Sequence, residues 1–127
     1  MSEPSGDLII RTLAMPADTN PDGDIFGGWV LSQMDIAGGI LSKKIVEGRT
    51  VTVAVESMVF HLPVFTGDVL CCYGEVHKIG RTSITIKLEA WAARAYKNDG
   101  RVKVTEGLFK YVHIDENRKP AVIETKD

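Results

Sequence analysis

The sequence predicts an α+β fold, with one long helix set against a five-stranded, mostly antiparallel sheet. Three observations carry this. One stretch early in the chain repeats its apolar residues at helical spacing, and nearly everything after it is β-branched or alternates apolar with polar. The segments after the helix are joined by short turns, which connect antiparallel neighbours without a crossover.

Leu8 to Met15 is a short apolar run bounded by Pro16, and reads as a first strand. The loop from Pro16 to Phe26 is dense in Pro, Asp, Asn and Gly, which is turn chemistry. From Gly28 to about Glu47, Val30, Leu31, Met34, Ala37, Gly38, Leu41 and Ile45 recur at three- and four-residue steps, the period of a helix. Lys43 and Lys44 complement the helix dipole at its end, and Gly48 is the expected stop. Thr50 to Phe60 is rich in β-branched residues and halts before Pro63; Asp68 to Ile79 follows a Thr66-Gly67 turn. Ile84, Ile86, Leu88, Ala90 and Ala92 then alternate with Thr85, Lys87, Glu89, Trp91 and Ala93. The turn Asn98-Asp99-Gly100 leads to a last strand, about Arg101 to His113. The expected organisation is a single domain over residues 1–127, with frayed polar tails at about 1–7 and 116–127.

An apolar fraction of 44% and a charged fraction of 25% over 127 residues describe an ordinary soluble domain with a core of its own. The net charge of −2 offers no electrostatic case for nucleic acid or an anionic membrane as partner. No apolar run reaches the roughly 20 residues of a membrane span, and Met1 to Asp7 lacks the apolar core of a signal peptide. The expected location is the cytoplasm. Cys71 and Cys72 are adjacent, point to opposite faces of a strand and have no metal-ligand spacing around them, so they read as two packed thiols. No metal site is expected. Trp29 and Trp91 read as core or interface aromatics.

The chemistry concentrates in Asn20 to Asp35, NPDGDIFGGWVLSQMD. Amides at a helix start lack intrahelical partners and carry the positive end of the dipole, and Gly27 and Gly28 leave them unshielded by side chains. A carbonyl resting there would have its developing oxyanion stabilised, or the glycines make only a tight turn; the residues alone leave both readings open. Asp35 is either a helix carboxylate with catalytic work or a solvated acid. Lys78, Gly80, Arg81, Thr82 and Ser83 make either an anion-binding turn or a plain hairpin.

Asn20-Pro21-Asp22-Gly23, Phe26-Gly27-Gly28 and Ser32-Gln33-Met34-Asp35, in this order, resemble the YciA-like acyl-CoA thioesterases of the hotdog fold. The resemblance runs from Arg11-Thr12-Leu13-Ala14-Met15-Pro16 through Val53-Ala54-Val55-Glu56-Ser57-Met58 and Gly80-Arg81-Thr82-Ser83 to the strand near Val112. It implies a sheet wrapped round one helix and hydrolysis of acyl-CoA to CoA and a carboxylic acid, with no cofactor beyond the coenzyme A of substrate and product. It further implies Asp35 as general base or nucleophile, Asn20 as an orienting amide, Gly27 and Gly28 as the oxyanion site, and Lys78, Gly80, Arg81, Thr82 and Ser83 as the turn that holds CoA. The implied assembly is a homodimer at least, with sites at the dimer interface, and a hexamer built as a trimer of dimers.

Two features of the residues agree with more than one subunit. Gly38 and Gly39 each cost about 0.8–1 kcal/mol in a helix interior relative to Ala, which suggests close approach of another backbone. Asp35 lies seven residues beyond Gly28, about 10 Å along a helix, so one carbonyl cannot touch both on one chain. Asn20 and the oxyanion amides are thus expected from one subunit and Asp35 from its partner. Hotdog dehydratases use a histidine near the helix; His61, His77 and His113 all fall in the strand half, which argues against that branch. The competing expectation is a non-catalytic protein that binds or senses acyl-CoA.

Overall fold

A computed structural model describes residues 3–98 and 100–124. It contains β1 (Asp7–Leu13), α1 (Gly27–Val46), β2 (Arg49–Phe60), β3 (Val69–Ile79), β4 (Ser83–Ala93) and β5 (Arg101–Ile114), with a single 3-10 turn at Pro16–Asp18. The strands form one sheet in the order β1-β3-β4-β5-β2, with every neighbouring pair antiparallel. Because β1 and β2 occupy opposite edges, the chain between them must cross the whole sheet. The helix makes that crossing and so covers the inner face.

The core is the seam between them. Val30, Met34 and Ala37 of α1 meet Leu70, Ile84, Ile86, Leu88, Phe109 and Tyr111, each at most 2% exposed. A second apolar cluster of Cys71, Tyr73 and Trp91 lies apart from this core. The two thiols therefore part as strand alternation requires, Cys72 into the main core and Cys71 into the second cluster; both are free. Burial, reinforced by Cys71, pushes the Cys72 thiol up to about 12, which leaves it without thiolate character at neutral pH.

Several local expectations need correction. β1 ends at Leu13 rather than Met15, because Ala14 leaves the ladder to exchange hydrogen bonds with the β3 approach: its N–H donates to Asp68 O and its carbonyl accepts from Gly67 N–H. The helix stops one residue before the expected glycine. Glu47 takes the left-handed conformation, φ 55° and ψ 45°, and donates its N–H to Lys43 O. Gly48 is needed for a different reason: a Cβ there would stand 2.6 Å from His113 Nε2. Gly38 likewise serves this chain's own packing, since a Cβ on it would meet Tyr111 Cζ at 2.8 Å and Leu88 Cδ1 at 2.9 Å. Its neighbour Gly39 faces only Lys43 Nζ, at 3.7 Å.

The tails are held as far as they are described. Ser5 donates its N–H to Glu89 Oε1 and its hydroxyl to Glu75 Oε1. At the other end Asp115 Oδ1 accepts from the N–H groups of Asn117 and Lys119, turning the chain back. Ala121 N–H then donates to His113 O and Ile123 N–H to Arg81 O, and Ile123 is buried at 8% exposure. An apolar anchor, invisible to a composition count, thus ties down residues expected to fray. The expectation for residues 1–2 and 125–127, and for Asp99 in the turn before β5, lies outside the described residues.

Candidate active site

Asn20 organises the loop that precedes the helix. Its backbone N–H donates to Asp24 O at 2.7 Å, and its side-chain Oδ1 accepts from Asp22 N–H and Asp24 N–H. The amide oxygen is therefore committed to the loop, leaving the NH₂ group as the end able to address a ligand. Ile25 N–H donates to Val64 O and Phe26 N–H to Asp18 O, which pin the chain just before it enters α1.

Phe26 is the N-cap and makes no side-chain cap, so the first amides of α1 keep their capacity for an outside acceptor. Gly27 and Gly28 sit close to two aromatic rings: a Cβ on Gly27 would lie 3.3 Å from Phe60 Cε1, and one on Gly28 3.3 Å from Phe26 Cδ2. Gly27 and Asn20 share the wall of a cleft of ≈ 310 Å³ with Val30, Phe60, His61 and Thr105. Asp35 does not line it.

Asp35 is half-buried further along the helix, and its setting is specific. Thr52 donates its hydroxyl to Oδ1 at 2.7 Å, and the Tyr111 hydroxyl lies 3.0 Å from the same oxygen and 3.1 Å from the Asp35 carbonyl. Both side-chain bonds fall on Oδ1; among the described residues none falls on Oδ2. Burial, and then the Asp35 charge and hydrogen bond, hold the Tyr111 phenol far above its usual range, so it remains a donor at any ordinary pH. A carboxylate clamped through one oxygen presents the other in a defined direction, which suits proton abstraction or direct attack.

Lys78 near the end of β3, Gly80, Arg81 and Thr82 in the β3–β4 turn, and Ser83 at the start of β4 lie at the end of the sheet away from the cleft. Gly80 N–H donates to Ser83 O at 2.7 Å, while Thr82 O accepts from His113 N–H. The Lys78 and Arg81 side chains are exposed. Ser83 is in register with Val112, whereas the cleft is reached at Thr105, roughly 23 Å away along β5. One protomer therefore places the turn far from the loop and helix start, and the carboxylate outside the cleft that they line.

The periodic pattern could not single out Thr52, Tyr111, Thr105 and His61, because strand residues reveal their neighbours only once register is known. Thr52 carried the one usable signal, a polar residue two positions from Thr50; Thr50 Oγ1 lies 2.7 Å from the hydroxyl of Ser42 on the helix. His61 turns out to be paired with Glu106, Nε2 to Oε2 at 2.6 Å, and His113 is packed against Gly48. Among the described residues no group of three His, Cys, Asp or Glu side chains could hold a metal ion. No helix among them is long and apolar enough to cross a membrane.

A helix wrapped by a five-stranded antiparallel sheet is the hotdog architecture, and similarity to known proteins places it among thioester hydrolases. Residues 22–97 match the thioesterase superfamily, and the chain belongs to that family, among its YciA-like members. It is 54% identical over 122 residues to the acyl-CoA thioester hydrolase YciA of Escherichia coli K12, covering 94% of this chain and 92% of that one. Among solved structures it is similar to a hexameric thioesterase from Yersinia pestis, with 50% identity, TM-score 0.92, and coverage of 97% of this chain and all of that one. A hexameric hotdog-fold thioesterase of Campylobacter jejuni follows at 40% identity and TM-score 0.88, covering 94% of this chain and 91% of that one.

Proposed function

We propose that this protein hydrolyses acyl-CoA thioesters to CoA and a carboxylic acid, with Asp35 as the catalytic carboxylate. The observation that carries the residue assignment is the clamp of Thr52 and Tyr111 on Oδ1, which leaves Oδ2 without a hydrogen bond among the described residues. The thioester carbonyl rests on the amides at Gly27 and Gly28, where an oxyanion donor is worth about 2.7–4 kcal/mol in acyl transfer. The Asn20 amide orients the water. By one route Asp35 accepts a proton from water as the water oxygen bonds to the acyl carbon, the C–S bond breaks, and the departing thiolate of CoA takes up a proton. By the other, Asp35 itself bonds to the acyl carbon and expels the thiolate, forming a mixed anhydride that water then opens at the Asp35 carbonyl.

The separation of Asp35 and of the β3–β4 turn from the cleft at the helix start supports a site assembled between subunits. In this reading Asn20, Gly27 and Gly28 of one copy face Asp35 of the next, and Lys78, Gly80, Arg81, Thr82 and Ser83 hold CoA. The solved neighbours from Yersinia pestis and Campylobacter jejuni are hexameric, and we extend that assembly to this chain as a trimer of dimers. The enzyme works in the cytoplasm with no metal or redox cofactor.

The test is CoA release from a panel of acyl-CoAs, read with a thiol reagent, for the wild type and Asp35→Ala. Turnover by the wild type and none by a folded Asp35→Ala is the expected result. Undiminished turnover in Asp35→Ala defeats the assignment, and binding of acyl-CoA by the wild type without CoA release makes the protein a sensor instead. Single-turnover hydrolysis in heavy-oxygen water separates the two routes, because label enters the enzyme carboxylate only through the anhydride.

A further inference from the structure

The cleft beside the helix start contains a polar group that the fold leaves unexplained. Thr105 is 1% exposed, and its hydroxyl has no hydrogen-bond partner among the described residues. A buried hydroxyl left unpaired costs about 1–3 kcal/mol, which a valine of the same shape would avoid. Thr105 lies on the same face of β5 as Phe109 and Tyr111, under the helix, and lines the cleft with Asn20 and Gly27. Around it the walls are apolar, built by Ile25, Val30 and Val64.

Two of the other polar side chains on this cleft have employment. Asn20 Oδ1 is taken by its own loop and its NH₂ group is the end assigned above to the water, while His61 is paired with Glu106. At ≈ 310 Å³ the cleft is at the small end of ligand pockets, which run roughly 300–1,000 Å³, so it suits a short acyl chain.

We propose that Thr105 is a specificity-determining residue: its hydroxyl hydrogen-bonds an uncharged oxygen on a short acyl chain seated in this cleft. The proposal rests on the thioesterase reading above and deepens it, since it makes short hydroxyacyl- and oxoacyl-CoA thioesters the favoured substrate class. An acyl oxygen entering an apolar cleft gives up water and needs a protein partner. A threonine hydroxyl can donate to an oxo group or accept from a hydroxyl. An unsubstituted chain leaves Thr105 as unpaired as before and gains nothing from it.

The experiment compares kcat/KM for 3-hydroxybutyryl-CoA and 3-oxobutyryl-CoA against butyryl-CoA in the wild type, Thr105→Val and Thr105→Ser. The wild type should favour the oxygenated substrates about fivefold or more, the worth of one hydrogen bond. That ratio should fall toward one in Thr105→Val and persist in Thr105→Ser. Thr105→Val should also melt no lower than the wild type, since it removes an unpaired group. A wild type without the preference, or a valine variant that keeps it, overturns the proposal. So does loss of the preference in Thr105→Ser, which retains the hydroxyl. Absence of CoA release from every substrate in the wild type is a different failure, because it removes the thioesterase reading and this inference falls with it.

Discussion

The Tyr111 hydroxyl lies 3.0 Å from Asp35 Oδ1, and Gly38, three residues further along the helix, makes room for its ring. A strand residue remote in sequence thus sets the direction of a helix carboxylate, and a missing methyl group permits it. Thr52 completes the arrangement from β2, so one carboxylate is gripped from both β2 and β5.

Tyr111→Phe keeps the ring and removes the donor. Hydrogen bonds to charged groups are worth about 1.5–3 kcal/mol. If that bond positions Asp35 for the transition state, kcat should fall about 10- to 100-fold with KM little changed. Steady-state kinetics on one acyl-CoA decides it; a rise in KM at unchanged kcat would instead place Tyr111 in substrate binding.

Gly38→Ala should destabilise the protein although alanine is the better helix former. The gain of about 0.8–1 kcal/mol in propensity is set against a Cβ driven to 2.8 Å from Tyr111 Cζ. Overpacking of this kind costs about 1–3 kcal/mol. Urea melts of Gly38→Ala, Tyr111→Phe and the double variant should show coupling, the pair costing less than the sum of the singles. Strict additivity would mean that the helix shifts instead of the phenol.

Asn20→Ala and Asp35→Ala should each be inactive alone, yet recover activity when co-assembled. With random pairing half of the dimers are mixed and each of these holds one intact site, so about a quarter of wild-type activity should return. Activity of mixed oligomers after joint refolding measures this. No recovery would place both residues in a site within one chain.

Glu89 is almost buried, and its carboxyl is held below the usual range despite a burial that works the other way. The Trp91 indole N–H, the Ser5 N–H and the ammonium groups of Lys103 and Lys87 outweigh that burial. A carboxylate depressed in the folded state contributes stability that is present above its unfolded value, near 4.3, and is lost as pH falls through the folded value. The stability gap between wild type and Glu89→Gln should therefore be largest near neutral pH and close below about pH 4. Denaturant melts across that range test it, and a gap that widens in acid would reverse the sign.

The elements were legible in the residues because helical and strand periods are local properties: the long helix and the four strands after it fall close to where alternation puts them. The boundaries were less so. Glu47 closes the helix from a left-handed conformation that its residue type does not announce, and Ile123 ties down a polar tail through a contact distant in sequence.

Asp35, Asn20, Gly27 and Gly28 stood out as candidates because they lie along a single stretch, and their expected roles came from the family resemblance. What the sequence by itself determined was therefore the fold class, the family and a list of candidate groups in order. The grip of Thr52 and Tyr111 on Asp35, and the unpaired Thr105 beneath the helix start, were decided only by the tertiary structure. Strand register brings residues 17 and 76 positions apart from Asp35 to the same oxygen, and pairwise register is not written in any one strand.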